Sequence, residues 1–171
     1  VLDAAGRLVY RIDAAGVVTQ RSYDGNGNVT QEVRYATRLP AGFAQTLPLT
    51  VLPVTPGASY AFADPLNDQL TRTVYDAANR PVFVIDAGGF VTQRNYDTSG
   101  NRVKETQYAS PIQGSFTLNV APQIIPSPFG PIPNGSYVVA IPPLDRTSYF
   151  IYDADGRMRY SVDPMRYVTE R

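Results

Sequence analysis

Apolar and polar residues alternate in short runs along this chain, and an Asp-x-x-Gly sequence closes one run after another. Residues 7–12 are typical: Leu8, Tyr10 and Ile12 fall on one face, Arg7, Val9 and Arg11 on the other. A period of two is the signature of a half-buried strand. Runs 80–85 and 157–162 repeat it, and runs 17–23 and 90–96, rich in Val, Thr and Tyr, suit a pleated surface. A third type of run covers 29–35 and 102–108. The closing sequences are Asp3-Ala4-Ala5-Gly6, Asp13-Ala14-Ala15-Gly16, Asp24-Gly25-Asn26-Gly27, Asp76-Ala77-Ala78-Asn79, Asp86-Ala87-Gly88-Gly89, Asp97-Thr98-Ser99-Gly100 and Asp153-Ala154-Asp155-Gly156. Asp caps such a turn, and Gly takes the left-handed position that ends a type I turn with a bulge. The pattern predicts consecutive antiparallel hairpins; no helical periodicity of useful length is visible.

A slower repeat organises these hairpins. Shifting residues 3–36 by 73 positions onto 76–109 preserves 20 of 34 residues, including Val18-Thr19-Gln20-Arg21 as Val91-Thr92-Gln93-Arg94. A further shift of 77 finds Val168-Thr169-Glu170-Arg171. Self-similarity at a fixed period marks a repeat architecture, in which each unit contacts mainly its neighbours. The array divides into hairpin repeats at 1–36, 72–109 and 149–171, separated by Pro-rich inserts at 37–71 and 110–148. The inserts differ in sequence, and their apolar stretches (47–54, 116–125, 137–141) read as edge strands or loops, because proline removes a ladder donor. The fold class is therefore all-β, with repeated hairpins forming a continuous twisted sheet, an open solenoid or shell fragment.

Composition removes most chemistry. His, Cys and Trp are absent, which excludes His- or Cys-based catalytic constellations, thiolate metal sites and disulfides. Fifteen basic residues, of which Lys104 alone is lysine, balance fifteen acidic ones and are scattered, so no nucleic-acid footprint is present. Scattered arginines more often brace turns and strands. No apolar run approaches the length of a membrane helix. The chain starts inside one repeat and stops at Arg171, where another aromatic-Asp turn is due, so it reads as a piece of a longer protein whose end strands favour self-association.

The aspartates recur at turn positions, where every copy has the same structural task; no catalytic set is named and no cofactor is implied. Asp24 with Asn26, and Asp153 with Asp155, place oxygens at alternate positions as calcium loops do, but most sibling turns lack the second oxygen and turn capping suffices. Tyr23, Tyr35, Tyr75, Tyr96, Tyr108 and Tyr152 occupy equivalent repeat positions, which favours packing across strands over a ligand surface.

The Asp-x-x-Gly-Arg turn followed by an apolar strand, with Tyr-Asp opening the next turn, resembles the Rhs or YD-repeat family. The pairs are Tyr23-Asp24, Tyr75-Asp76, Tyr96-Asp97 and Tyr152-Asp153. That family includes bacterial polymorphic toxins, cocoon-forming components of insecticidal toxin complexes and the teneurins. The resemblance implies a spiralling sheet of hairpins forming a hollow shell, in toxins around a C-terminal effector, and a secreted or cell-surface bacterial setting. Asp163-Pro164-Met165-Arg166 lacks the glycines of the family's end-of-shell motif, so self-cleavage is not assigned. The expected function is a non-catalytic scaffold that, with neighbouring repeats of the parent chain, encloses or presents another part of it. The alternative is an adhesin or glycan- or protein-binding module with its specificity in 37–71 and 110–148.

Overall fold

A computed structural model of the chain describes residues 1–39, 63–64, 66–117, 119–126 and 135–171. The apolar stretch 47–54 of the first insert lies outside them. Twelve strands are present and no helix is found among the described residues. They are β1 (Tyr10–Ile12), β2 (Val17–Tyr23), β3 (Val29–Arg38), β4 (Gln69–Tyr75), β5 (Pro81–Ile85), β6 (Phe90–Tyr96), β7 (Arg102–Pro111), β8 (Gln123–Pro126), β9 (Tyr137–Ala140), β10 (Arg146–Tyr152), β11 (Met158–Val162) and β12 (Val168–Glu170). Ten form one open sheet in the order β1-β2-β3-β4-β5-β6-β7-β10-β11-β12, so chain order and sheet order coincide wherever no insert intervenes. The described pairings within it are antiparallel.

Some strand bounds differ from the alternation. The run 7–12 becomes a three-residue strand, because Leu8 turns aside to bridge Leu2. The third strands run on to Arg38 and Pro111, three residues past Tyr35 and Tyr108. Those extra residues pair with the start of β2 and β6, at Val17↔Arg38 and Phe90↔Pro111, after a register shift in each hairpin. Such a bulge re-aims a strand.

The chain divides into two compact units, Val1–Arg72 and Thr73–Arg171. In the first, Tyr10, Val18, Tyr35 and Leu39 form the buried cluster, with Val1, Val9, Ile12 and Val33 against it. Val9 thus contributes to packing although it alternates out of the apolar face. In the second, Val74, Phe83, Ile85, Val91, Tyr108 and Val138 are buried together. Val138 belongs to the second insert, as do Ile112, Phe116, Ile124 and Ala140 packed beside it. The stretches 116–125 and 137–141 yield the short strands β8 and β9, and these pair in parallel as a separate two-stranded sheet. Sequence alternation cannot reveal that pairing, since its partners are not joined by a hairpin turn. The insert is an integral part of this unit's core.

Both inserts open and close alike despite their different sequences. Leu39 N–H donates to Gly16 O at 2.8 Å, and Ile112 N–H to Gly89 O at 2.7 Å. At the far ends, Asp68 Oδ1 accepts from Ala36 N–H at 2.8 Å and Asp145 Oδ1 from Ala109 N–H at 2.9 Å. Each carboxylate also takes a nearer amide, that of Asp64 or Ile141, at 2.7 Å. The described ends of each insert are thereby fixed alike, by a backbone contact at the near end and an aspartate at the far end.

Candidate functional site

The repeated polar residues build a brace at the turns that begin with Asp3 and Asp76. In the first, Asp3 Oδ1 accepts the amides of Ala5 and Arg7, each at 2.9 Å. Gly6, at φ +76°, closes the turn by donating to Asp3 O at 3.0 Å. Asp3 Oδ2 pairs with Arg7 Nε at 2.7 Å. The guanidinium then lies 4.8 Å from the centre of the Tyr23 ring, and its Nη1 donates to Asp24 O at 3.2 Å. Tyr23 returns the link by donating its hydroxyl to Leu8 O at 2.7 Å. One hairpin turn is thus tied to another through an arginine and a tyrosine.

The second repeat reproduces it. Asp76 caps Ala78 and Arg80, pairs with the Arg80 guanidinium at 2.8 Å, and Arg80 stacks 4.7 Å from Tyr96 and reaches Asp97 O at 3.4 Å. Tyr96 donates to Pro81 O at 3.0 Å. Here Asn79 takes the glycine's place at φ +60°, a conformation asparagine tolerates better than most residues. In the third, Asp153 caps Asp155 and Arg157, and Tyr152 donates to Arg102 O at 3.1 Å.

The tyrosines fall into two sets that periodicity alone does not separate. Tyr23, Tyr96 and Tyr152 sit half-buried and donate to backbone carbonyls a strand or more away. Tyr35 and Tyr108 are buried and donate to the side-chain oxygens of Gln20 and Gln93, the latter at 2.6 Å. Burial pushes both of their hydroxyls above the usual phenol range. Tyr75 ends β4 and is half-buried.

Hydrogen bonds within the turns lower the carboxyls of Asp3, Asp13, Asp24, Asp76 and Asp97. Asp3, Asp13 and Asp76 lie below the usual carboxylate range, chiefly through the amides of Arg7, Val17 and Arg80. The Asn28 side chain leads the lowering at Asp24. At Asp97 desolvation pulls upward, and the amide and side chain of Asn101 outweigh it. Asp86 makes the same cap, its Oδ1 accepting from Gly88 and Phe90 at 2.9 Å, with Gly89 at φ +79° behind it. Gly16, Gly27, Gly100 and Gly156 take the same left-handed position.

Among the calcium candidates, the carboxylates of Asp24 and Asp155 are engaged within their own turns. Asp24 Oδ1 takes the amides of Asn26 and Asn28, and its Oδ2 takes the Asn28 side chain. Asp155 pairs with Arg157. Among the described residues no three His, Cys, Asp or Glu side chains gather to hold a metal, and no helix is long and apolar enough to cross a membrane. What this arrangement does chemically is to fix strands.

Residues 3–39 match the family model described as RHS Repeat. No curated protein matches the chain. Among solved structures, the crystal structures of TcdB2-TccC3 and of TcdB2-TccC3-Cdc42 are similar, each with a TM-score of 0.53 and 19% identity. The similarity covers 96% of this chain and 6% of the matched one, so this chain spans a small part of those molecules. At that identity the likeness concerns the fold. Residues 3–39 thus match an RHS repeat, and the later Tyr-Asp pairs, in register within a sequential antiparallel sheet, repeat the features of that matched segment.

Proposed function

We infer that this chain is a non-catalytic wall segment of a larger Rhs-type bacterial protein, secreted or displayed at the cell surface, whose sheet encloses or presents another part of the parent chain. The observation that carries this is the repeated brace. Asp3, Arg7 and Tyr23, like Asp76, Arg80 and Tyr96, direct their polar groups at backbone or at each other, in the same geometry in each copy. A reactive centre needs groups with distinct roles, and copies with one role supply none. Chain-order strand addition lets such a wall extend by whole repeats.

The insert-based binding module receives no support of its own from the second insert. Val138 and Ile125 are buried, and neighbouring apolar residues pack on the sheet, so this segment serves the core. Deleting it would remove core along with surface.

Limited proteolysis of the parent protein tests the enclosure. Its C-terminal region is expected to resist protease while the array is intact and to be cleaved readily once Val138→Asp opens the second unit. Equal cleavage in both forms would overturn the reading.

A further inference from the structure

One turn of the series carries a reactive peptide step. Asparagine is among the chemically labile residues, and glycine after it leaves the next backbone nitrogen unhindered. Asn26-Gly27 is such a step; Asn134-Gly135 is the other in the sequence, and Asn134 lies outside the described residues. Asn28, Asn67, Asn79, Asn95, Asn101 and Asn119 all precede residues with side chains. In the copy of this turn, Asp97-Thr98-Ser99-Gly100, a serine stands where Asn26 does.

The geometry of the turn favours reaction there. Gly25, Asn26 and Gly27 are exposed, and so are Thr98, Ser99 and Gly100 in the copy with described strands on both sides, so the exposure belongs to the turn itself. A Cβ added at Gly25 or Gly27 would meet nothing within 4 Å. Gly27 N–H closes the turn on Asp24 O at 3.2 Å, against 2.9–3.1 Å in the sibling turns. Gly25 replaces the alanine of Ala4, Ala14, Ala77, Ala87 and Ala154, which frees this backbone further. A short exposed turn of this kind opens locally at small cost. The same chemistry at Asp24-Gly25 is opposed by the cap: Asp24 Oδ1 accepts the amides of Asn26 and Asn28, and its Oδ2 accepts from the Asn28 side chain. Asp24 O is also the acceptor for Arg7 Nη1 at 3.2 Å, so the closing amide of this turn and the brace from the first hairpin meet on one oxygen.

We propose that Asn26 is a site of spontaneous deamidation, and that its isoaspartyl product releases the Arg7 brace. Gly27 N attacks Asn26 Cγ; the new C–N bond closes a succinimide ring, the Cγ–Nδ2 bond breaks, and the Gly27 proton leaves with the side-chain nitrogen as ammonia. Water then opens the ring at either carbonyl and leaves aspartate or isoaspartate. Isoaspartate adds a methylene to the backbone between Asp24 and Gly27, so Gly27 N no longer falls opposite Asp24 O.

The test ages the full chain at neutral pH and physiological temperature, then resolves aspartyl from isoaspartyl peptides by chromatography with mass detection. Both acids are expected at position 26, isoaspartate in excess, while Asn28, Asn95 and Asn101 keep their amides. Gly25→Ala suits a backbone that is not left-handed and leaves Asn26-Gly27 in place. It is expected to slow conversion about threefold by disfavouring the opened turn. The urea midpoint of aged wild type is expected to fall below that of fresh protein, and that of aged Asn26→Ser, which carries the residue of the equivalent Ser99, to fall less. An Asn26 amide that survives in the folded chain over a time that converts it in the urea-unfolded chain overturns the site. An unchanged rate in Gly25→Ala overturns reaction through the opened turn. A midpoint that holds in isoaspartyl wild type, or falls equally in aged Asn26→Ser, overturns release of the brace.

Discussion

The turn glycines share a positive φ, but they are not equally constrained. At Gly6 an added Cβ meets nothing within 4 Å, while at Gly16 it meets Leu39 O at 2.7 Å. Gly6→Ala is therefore expected to cost about 1 kcal/mol, the penalty of the left-handed conformation alone. Gly16→Ala adds a backbone clash that no rotamer relieves, and Gly16→Val adds β-branching. Urea midpoints should fall in the order wild type, Gly6→Ala, Gly16→Ala, Gly16→Val, with Ala15→Ser near wild type. Equal midpoints for Gly6→Ala and Gly16→Ala would show that Leu39 is not docked there. The spacing of Asp and Gly makes the hairpins legible in sequence. It does not reveal that Gly16 and Gly89 also receive an amide from the start of an insert, because Leu39 and Ile112 carry no common side-chain signal.

Strands and inserts contribute differently to stability. Sheet pairing follows from alternation and turns, so the antiparallel order is readable from residues such as Leu8, Tyr10 and Ile12. The second insert is not, because β8 and β9 pair in parallel across residues whose sequence shows only apolar stretches broken by proline. Val138 is fully buried within the core of the second unit. Val138→Ala is expected to lose about 2 kcal/mol, transfer and cavity terms together. An exposed insert position such as Leu144 is expected to tolerate alanine within about 0.5 kcal/mol. Thermal unfolding of the two variants distinguishes a core element from a displayed loop. Tyr96→Phe removes only the hydroxyl that reaches Pro81 O and should cost about 1 kcal/mol.

For the molecule as a whole, repetition turns a local cap into a global pH dependence. Asp3, Asp13, Asp24, Asp76 and Asp97 all have carboxyls lowered in the folded state. A lowered folded pKa gives stability that is present above the unfolded value, roughly 3.9, and disappears as pH falls through the folded one. Urea midpoints should be level through neutral and mildly acidic pH and fall steeply below about pH 4. Asp76→Asn keeps a capping oxygen and removes one titration, so its acid loss should be shallower than wild type. A parallel acid loss would mean that the Asp76 charge contributes nothing to it.

Arginines that brace turns frame the sheet, and a urea-unfolding comparison of Arg80→Ala with Arg11→Ala tests that most directly. Arg80 holds Asp76, Tyr96 and Asp97 together, whereas Arg11 is exposed and makes no ion pair or ring contact among the described residues. An exposed ion pair and a ring contact each contribute up to about 1 kcal/mol. Arg80→Ala is expected to lose about 1–2 kcal/mol and Arg11→Ala less than about 0.5 kcal/mol. Equal stability in the two variants would contradict the brace, and with it the reading of the repeated polar residues as the frame of a wall.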